Sequence, residues 1–518
     1  MSVSLKALAV ILVIAAAVFR LARPVALTFS TAKDYSRRRN AWYALTSAAF
    51  ICPNFWLYAA IAIPILVVVG RRDTNPGAVY LLLLQVIPSL SFPVPMVGLS
   101  RLFDLDNYLL LSFFVMIPAA LRLRRSKDRA GIRGLEWMDI FLLAYGLLSA
   151  ILYLHGELTR GVVNRETVTD DARRAFVFYV GVYIPYFVIS RSASSHRLLL
   201  EDMASFSLAC SLMAALAIFE GMRHMLLFGE LPSRWGYIVS GSVYYFRSGT
   251  VRAMASAGHP LTLGYVLGIA LGFWFCLQSR VTSVHYRIGV TILLLLGLIA
   301  TYSRGPWLGA ASIFFAFNFL RPRAMSALMK AGSGALIVAI VISFTPIGDK
   351  IATLLPSFSA SSADESVIYR HRLLDRALEI IQQNPIFGDQ YAIMKMQDLR
   401  QGEGIIDIIN SYIGVALANG LVGLALFLSV VLIGLFKALA WSKRTYRSDP
   451  DFGAAGASLV ACIVGTLIMM FDGSFGGVVQ IMFYTLAALA AAYAYLGRMR
   501  QQGMLDPALP KGPSRTFA

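Results

Sequence analysis

The chain has 518 residues, of which 58% are hydrophobic and 14% are charged, whereas soluble domains average roughly 45–50% and 25%. A water-soluble globule of this length is therefore excluded, and the composition is typical of a membrane protein with many spans. The formal net charge is +18, but lysines and arginines recur in short clusters between apolar runs, so nucleic-acid binding is not indicated. Such clusters are typical of cytoplasmic loops.

Apolar runs of about 20 residues predict membrane spans. About 14 spans are expected, within a range of about 13 to 15, so the fold class is an all-α polytopic membrane protein. The runs cover residues 7–19, 55–70, 79–97, 105–121, 137–154, 176–190, 198–219, 261–277, 288–301, 307–320, 335–344, 410–436, 455–471 and 478–496. The densest basic run, residues 122–133, indicates a cytoplasmic loop, and alternation from there puts residues 221–258, Arg304 and residues 348–407 outside.

The N-terminal topology contains one conflict. Counting back from the basic loop would put the lysines and arginines between residues 20 and 39 outside, against the positive-inside pattern. Residues 41–52 are apolar but short for a span. They form either a half-helix that turns back at Pro53-Asn54 or a short crossing helix, and only the crossing helix removes the conflict.

Four parts of the chain are expected. N-terminal and central helices cover residues 1–347, a long external loop covers 348–409, C-terminal helices cover 410–496, and a cytoplasmic tail at 497–518 is expected to be disordered. Residues 348–407 hold nine acidic and six basic side chains, so this segment is near −3 in a chain of +18. That asymmetry favours the external side.

Within the long loop, residues 367–381 predict an amphipathic helix that ends at Asn384-Pro385. Most of its charges are expected to be solvated, whereas Arg370 and Arg372, near its start, are candidates for contact with a ligand. The expected apolar stripe consists of Val367, Leu374, Leu378 and Ile381.

Cysteines and histidines give no sign of a disulfide framework or a metal site. The four cysteines all lie inside apolar runs. The six histidines lack the short spacings and cysteine partners of a zinc site, and carboxylates do not cluster as hard-metal ligands. We expect a metal-independent protein without a cofactor.

One arginine stands between two predicted spans, in the segment Ala300-Thr301-Tyr302-Ser303-Arg304-Gly305-Pro306-Trp307-Leu308-Gly309. An interfacial Arg304 is either a snorkelling anchor at a helix end or an anion ligand whose fork faces a phosphate. Gly305-Pro306 favours the anion site, because proline at a helix start costs no hydrogen bond and the opening amides would face Arg304.

A second predicted external cluster precedes the span at residues 261–277. It combines Arg247 and Arg252 with tyrosines, Phe246 and Gly249, and it leads to His259. Arginine forks bind phosphate and aromatic faces pack on sugars, so the cluster suits a glycan phosphate. Ordinary interfacial anchoring by tyrosine and arginine is the alternative.

Three motifs follow one another between the spans: Thr301-x-Ser303-Arg304-Gly305, then Arg372 with Asn384-Pro385-Ile386-Phe387-Gly388, and then Asn410-Ser411-Tyr412 with Asn419-Gly420-Leu421-Val422-Gly423-Leu424. In their order and topology these motifs resemble the O-antigen ligase and Wzy-type polysaccharide polymerase superfamily over about residues 240–440.

The resemblance implies a glycosyltransferase of the C-type membrane fold in the bacterial inner membrane. It would work at the periplasmic face on an oligosaccharide carried by undecaprenyl pyrophosphate, without metal or nucleotide sugar. Expected partners besides this substrate are membrane lipids, a chain-length regulator and export proteins. We expect Arg304 and Asp407 to be catalytic, and the lipid pyrophosphate and glycan to contact Arg247, Arg252, His259, Ser303, Arg370, Arg372, Asn410 and Tyr412.

This sequence departs from the ligases at one point. They typically carry a His-Asn pair where this chain reads Ile409-Asn410, and the nearest ionisable group is Asp407. Asp407 is either a proton acceptor or the N-cap of the next helix, and Glu403 is the next candidate for the acceptor. The missing histidine favours a polymerase of exopolysaccharide or O-antigen repeats, with a ligase that transfers glycan to a lipid or other acceptor as the alternative.

A transporter or flippase for a lipid-linked glycan is the rival from another class. Many spans and an arginine-lined cavity would suit an anionic lipid, but transporters commonly place ionisable groups or broken helices near the bilayer midplane. The acidic residues near spans are expected at helix ends, and broken helices do not repeat between the two halves. The sequence therefore favours a transferase.

Overall fold

The computed structural model describes residues 3–98, 100–125, 135–159, 165–237, 244–247, 249–321, 365–400 and 406–503. Within these ranges the protein is mostly helical, as expected for a polytopic membrane protein. The strands described are two short antiparallel hairpins, in which β1 (Phe92–Pro93) pairs with β2 (Asp104–Leu105) and β3 (Phe246–Arg247) pairs with β4 (Thr250–Val251).

The α-helices follow the chain as α1 Val3–Ala26, α2 Ala32–Ile51, α3 Phe55–Arg72, α4 Pro76–Leu83, α5 Asn107–Leu111, α6 Ile117–Arg125, α7 Trp137–Thr159, α8 Arg165–Phe178, α9 Ile184–Ser192, α10 His196–Arg223, α11 Leu231–Arg234, α12 Pro260–Leu277, α13 Val284–Ala300, α14 Arg304–Phe319, α15 Glu365–Gln383, α16 Ser411–Thr445, α17 Pro450–Met469 and α18 Gly477–Gln501. Two π-helical segments, Ser112–Met116 and Tyr179–Tyr183, join α5 to α6 and α8 to α9.

Nine helical stretches in the described ranges are long and apolar enough to cross a membrane, and two shorter apolar helices, Asn107–Leu123 and Val284–Ala300, accompany them. The predicted span at residues 79–97 is wrong. Helix α4 ends at Leu83, and the chain then turns into β1. Pro88, Pro93 and Pro95 lack the amide donors that would continue a helix. The predicted span at residues 335–344 lies outside the described residues.

Helix α2 resolves the conflict at the N-terminus in favour of a crossing helix. Near its start, Arg38 binds Asp73 at 2.5 Å and Glu201 at 2.9 Å. At its far end, the indole of Trp235 donates to the carbonyl of Cys52 at 3.2 Å. Because these partners lie at opposite ends of the bundle, α2 runs from one end to the other, as the crossing-helix alternative predicted.

The two ends of the helix bundle differ in their contacts. At one end, here called the motif face, Arg252 contacts Ser303 and Arg370 contacts Asp472. The other end, here called the basic face, holds the basic clusters between spans. Its pairs include Arg38 with Asp73, Arg191 with Asp139, Arg280 with Asp451, and Arg500 with Asp449. Contacts between segments distant in sequence therefore gather at two ends of the bundle, and which side of a membrane each end faces stays a prediction.

Helices α12, α14 and α17 form a closely packed unit beneath the motif face. A β-carbon at Gly309 would lie 2.1 Å from the Cγ of Met469, and one at Gly272 would lie 2.3 Å from the sulfur of Cys462. Glycine at these positions lets the helix axes approach closely, which favours dispersion contacts between membrane helices. The unit fixes the start of α14, and with it Arg304.

The predicted amphipathic helix exists as α15, but its buried stripe differs from the expectation. Leu374 and Leu378 are 41% and 47% exposed. The buried residues are Leu373, Ala377 and Ile380, which pack with Ala392, Met396, Leu399 and Leu417. Of the predicted stripe, Ile381 is partly buried and packs against the same cluster. The sequence pattern carries apolar residues on adjacent stripes, and the tertiary partner decides which stripe is buried.

Candidate functional site

The turn between α13 and α14 presents Arg304 at the motif face. Thr301 and Ser303 are fully buried, and Tyr302 between them has φ +47°, in the left-handed region that a bulky residue rarely adopts. Such strained backbone persists only where its surroundings enforce it, and it clusters at functional sites. Arg304 is half-buried and is the first residue of α14.

Arg252 supports this turn from the loop before α12. Its Nε donates to the carbonyl of Thr301 at 3.1 Å, and its Nη2 donates to the hydroxyl of Ser303 at 2.8 Å. A backbone hydrogen bond joins the same two segments, since the amide of Ala253 donates to the carbonyl of Ala300 at 3.0 Å. Arg252 and Arg304, separate motifs in the sequence, therefore meet in one cluster.

Asp472 brings a third arginine to the same cluster. Its carboxylate binds Arg370 of α15 at 2.5 Å. A β-carbon at Gly305 would lie 2.3 Å from the second oxygen of Asp472, so the carboxylate rests directly on the backbone next to Arg304. Asp472 follows α17 in the sequence, and the prediction of site residues did not include it.

Asn410 and His259 cap the helices that open at this cluster. The side-chain oxygen of Asn410 accepts from the amides of Tyr412 and Ile413, at 2.9 and 3.2 Å, so Asn410 is the N-cap of α16. The interpretation of Asp407 as the cap is wrong. His259 caps α12 through Nδ1, which accepts from the amide of Leu261 at 3.2 Å. Burial and the nearby Arg252 lower the pKa of His259 to about 4.

Beside the arginine cluster lies a cavity of about 930 Å³, which is larger than the others described at this face. Asp407, Asn410 and Ser411 lie on its wall. Ser411 also lines a smaller cavity of about 40 Å³, together with His259 and Asp472, so the two spaces adjoin. Burial raises the pKa of Asp407, although the charge of Arg370 opposes the shift. The hydroxyl of Tyr369 donates to the Asp407 carbonyl at 2.9 Å and holds the segment in place.

The opposite wall of the large cavity carries a cluster of charges that sequence reasoning missed. Arg101 lies 3.4 Å from Asp104 and 3.7 Å from Asp170, and Arg173 binds Asp170 as well. Arg174 is exposed, and its guanidinium stacks over the ring of Tyr153 at 4.2 Å. These groups come from the β1–β2 hairpin and from α8, and no motif links the two in the sequence.

Other polar and aromatic side chains line this cavity, and they are suited to binding a polar, ring-shaped ligand. Tyr153 and Phe475 are partly exposed and offer rings, and Ser149, Gln390 and Gln480 offer hydrogen bonds. One π-helical segment, Tyr179–Tyr183, places Gly181 and Val182 on the wall. Such segments frequently occur at functional sites, but they leave no clear mark in a sequence.

A second cavity, of about 640 Å³, continues from the first, and the two share Gln390 and Ala418 on their walls. Between them the side-chain oxygen of Asn419 accepts from Ser149 at 3.0 Å and from Gln390 at 2.9 Å. The wall of the second cavity includes Asn384-Pro385-Ile386-Phe387-Gly388. The space at the motif face is therefore elongated.

The Asn384–Gly388 motif and the Asn419-Gly420 motif lie against each other. Helix α16 is interrupted at Gly420, where φ is +64°. The amides of Leu421 and Val422 donate to the carbonyls of Pro385 and Ile386, at 2.9 and 3.2 Å. The interruption thus exchanges intrahelical bonds for bonds to the loop, and this junction forms one side of the elongated space.

Three predicted site residues do not join the arginine cluster in the described contacts. Arg372 donates to the carbonyl of Asp398, within its own loop. The hydroxyl of Tyr412 donates to the carbonyl of Leu467 at 2.5 Å, so it joins two helices. Arg247 contributes its backbone to the β3–β4 hairpin, and its side chain lies outside the described part of the chain, as does Glu403.

The gathered groups define what this face can do chemically. Arg252, Arg304 and Arg370 form a positive edge that can hold a phosphate or pyrophosphate. Asp407 offers a carboxylate with a raised pKa at the wall of a large polar cavity, where it can accept a proton. In the described ranges, His, Cys, Asp and Glu form no group of three or more that could hold a metal ion.

Comparison with known proteins gives one family. A family model described as O-antigen ligase matches residues 289–428. The matched segment starts in α13, includes the Arg304 turn, Arg370, Asp407 and Asn410, and ends within α16. A search of curated proteins found no match.

Proposed function

We propose that the chain is a polysaccharide polymerase of the O-antigen ligase and Wzy-type superfamily, which the family match over residues 289–428 supports. It joins oligosaccharide repeat units carried on undecaprenyl pyrophosphate. The acceptor is a second lipid-linked repeat. The observation that carries the proposal is the position of Asp407, a carboxylate with a raised pKa on the wall of the 930 Å³ cavity beside the arginine cluster.

The donor pyrophosphate binds at the arginine cluster. As the bond between the anomeric carbon and the pyrophosphate oxygen breaks, negative charge grows on that oxygen, and fixed guanidinium groups stabilise it. Arg304 faces the leaving group, Arg252 holds the turn that carries Arg304, and Arg370 is positioned by Asp472. Planar arginine forks suit a pyrophosphate better than lysine ammonium groups would.

The acceptor repeat binds in the large cavity. Its attacking hydroxyl forms the new bond to the anomeric carbon, and Asp407 takes the proton of that hydroxyl while undecaprenyl pyrophosphate leaves with the bonding electrons. Tyr153 and Phe475 supply rings for sugars, and Ser149 and Gln390 supply hydrogen bonds. Every step uses side chains of this protein, and we propose that the reaction needs no metal.

A polymerase is favoured over a ligase by the residue that precedes Asn410. Ile409 cannot accept a proton, so the acceptor chemistry typical of ligases has no counterpart at that position. Asp407 supplies a carboxylate from a different position, which suits an acceptor with a different shape. A second lipid-linked glycan fits the elongated space of two joined cavities.

We propose that the motif face is periplasmic and that the protein lies in the bacterial inner membrane. The positive-inside pattern supports this orientation, because the basic clusters between spans lie at the basic face. Residues 348–409 are then proposed as the long periplasmic loop, and the proposed cytoplasmic tail starts after α18, which ends at Gln501 and not at residue 496 as predicted. A chain-length regulator and export proteins are proposed partners at the periplasmic side.

Reconstitution in vesicles with purified lipid-linked repeats tests the function. We expect a ladder of glycans on undecaprenyl pyrophosphate, and we expect the same ladder in the presence of EDTA. Transfer of a preformed chain to another acceptor lipid, without a ladder, would indicate a ligase. Exchange of the substrate between leaflets without elongation would indicate a flippase. A strain that lacks the protein should accumulate single repeats if it is the polymerase.

A further inference from the structure

An apolar groove lies on the side of the bundle, far from the arginine cluster. Helices α1 and α13 form its sides and α10 and α12 form its floor, around a volume of about 350 Å³. Its walls include Val25, Leu208, Leu277, Val290 and Leu293. Leu293 and Val25 are only partly buried, so in the described structure the groove opens on the surface that faces the membrane.

The groove sits toward the basic face. Phe29 follows the end of α1, Leu277 is the last residue of α12, and Tyr286 lies in the first turn of α13, and all three line the groove. Tyr35 is within electrostatic reach of both Arg23 and Tyr286, which puts the ends of α1 and α13 side by side here.

Cations surround this end of the groove. The Nε of Arg197, in the first turn of α10, donates to the carbonyl of Phe29 at 3.2 Å. Arg23 lies in the last turn of α1. Arg287 lies next to Tyr286, and its Nε is enclosed without a hydrogen-bond partner in the described ranges. None of these three arginines forms an ion pair within those ranges.

Carboxylates near this end are already engaged. Asp451 binds Arg280 at 2.8 Å, and Asp34 binds Arg37 at 2.6 Å. The end of the groove therefore keeps a positive excess, directly next to a cleft that suits hydrocarbon. A phospholipid with a negative headgroup combines these two properties, since its acyl chain is apolar and its phosphate accepts hydrogen bonds from arginine.

We propose that this groove binds one acyl chain of an anionic phospholipid such as phosphatidylglycerol, with the phosphate held among Arg23, Arg197 and Arg287. The lipid fills the space between α1 and α13 and holds α13 against α10. Helix α13 leads directly into the turn of Thr301 to Arg304, so the lipid also steadies the start of the motif at the other end of the helix.

Gly289 gives a sharp test, because it lines the groove and a β-carbon there would meet no atom within 4 Å. Gly289→Phe fills the cleft without a backbone clash. Ile288→Phe is the matched control, since Ile288 is 53% exposed on the same turn and does not line the groove. The full-length protein is purified in mild detergent, and native mass spectrometry counts bound phosphatidylglycerol and phosphatidylethanolamine added in equal amounts.

We expect the wild type and Ile288→Phe to retain phosphatidylglycerol about tenfold more than phosphatidylethanolamine, and Gly289→Phe to lose about nine-tenths of that binding. The double variant Arg197→Gln with Arg287→Gln should bind phosphatidylglycerol and phosphatidylethanolamine equally, because the groove stays open but the phosphate loses its arginines. This variant tests the proposed site if Gly289→Phe does not fold.

Equal retention by Gly289→Phe and Ile288→Phe would overturn the proposed site. Equal binding of the two lipids by the wild type would overturn the anionic headgroup, and displacement of phosphatidylglycerol by undecaprenyl phosphate would show a polyprenyl site instead. The readout is lipid binding, so the result does not depend on whether the protein is a polymerase.

Discussion

Arg370 and Asp472 are joined by an ion pair of 2.5 Å that ties α15 to the end of α17, and the same carboxylate rests on the backbone of Gly305. Three segments distant in sequence thus meet next to Arg304. Arg370 is 49% exposed, so the pair contributes little to stability on its own. The pair matters for the geometry of the site, because it fixes the position of Arg370 in the arginine cluster.

Gly305→Ala should damage this geometry without removing a charged group. The new methyl group would lie 2.3 Å from one Asp472 oxygen and 2.7 Å from its β-carbon, so Asp472 must move and Arg370 must follow. We expect elongation to fall about tenfold or more, equivalent to about 1.4 kcal/mol of transition-state stabilisation. Gly221→Ala, whose methyl group would make an ordinary contact at 3.6 Å from the β-carbon of Ala300, is the control. Normal elongation by purified Gly305→Ala would contradict the role of this contact.

Arg252→Lys should also reduce elongation, because the arginine fork reaches two acceptors at once. Lysine keeps the charge but cannot bind the Thr301 carbonyl and the Ser303 hydroxyl in the same geometry. We expect about a tenfold loss in the reconstituted assay, at normal protein levels. Arg372→Lys should change little, since Arg372 donates only to a carbonyl in its own loop. Equal effects of the two substitutions would argue against a specific role for Arg252.

Asp407→Asn should abolish most elongation while the fold is retained. An amide is a far poorer base, and general-base catalysis typically contributes about 10²- to 10⁴-fold, so we expect a loss of at least about 100-fold. Asn410→Ala is the matched comparison: it removes the N-cap of α16 and should cost about 1 kcal/mol of stability. Polymer synthesis by Asp407→Asn would exclude Asp407 as the base.

The Asp407 carboxylate also predicts how the rate of elongation changes at acidic pH. Burial raises the pKa of Asp407 above its ordinary value of 3.8, so the basic form is lost at a higher pH than for an exposed aspartate. Elongation should therefore decline on acidification before ordinary carboxylates protonate. A rate that stays constant down to the ordinary aspartate range would contradict this assignment.

Gly420→Ala should destabilise the junction between α16 and the Asn384–Gly388 motif. The residue has φ +64°, and a β-carbon would lie 2.2 Å from the carbonyl oxygen of Ile386. At φ +64° and ψ −169° the backbone lies in a region essentially restricted to glycine, which costs other residues about 1–3 kcal/mol, and the clash adds to that. We expect a lower melting temperature in detergent. Gly414→Ala, whose new methyl group would lie 3.5 Å from a side-chain atom of Ile408, should have a smaller effect.

His259 predicts a pH dependence of stability. Its folded pKa is lowered to about 4 from an ordinary 6.5, so between these values the unfolded chain binds more protons than the folded one. Stability should fall as pH decreases from about 6.5 to about 4, by at most about 3 kcal/mol from this group. His259→Asn can still cap α12 but does not titrate, so its melting temperature should fall less over that range. Identical slopes would contradict the assignment.

The sequence predicted most spans because a membrane helix is a long apolar run, and such a run is visible without tertiary context. The prediction failed at residues 79–97, because the prolines in this apolar run prevent a continuous helix. It also chose the wrong stripe of α15, since Leu373 and Leu374 are equally apolar and only the packing partner separates them. The conflict at α2 was visible from charge, and the contacts of Arg38 and Cys52 decided it.

For the site, motifs close to a span boundary were the predictable part. Arg252, Ser303 and Arg370 come to one cluster, as their charge and position suggested. Asp472 was missed because its role depends on the close approach of Gly305, which a sequence does not reveal. Arg101 and Arg174 were missed for a similar reason, since two segments about 70 residues apart form one wall only after folding.

The four cysteines have a practical consequence. Cys52, Cys210, Cys276 and Cys462 are between 0% and 4% exposed, and none forms a disulfide. The native protein therefore offers no thiol to a water-borne reagent, and its packing does not depend on the redox state of either compartment. A single cysteine introduced at Arg174 or at Arg280 would then be the sole reactive group, so the sidedness of each face can be read without first removing the natural cysteines.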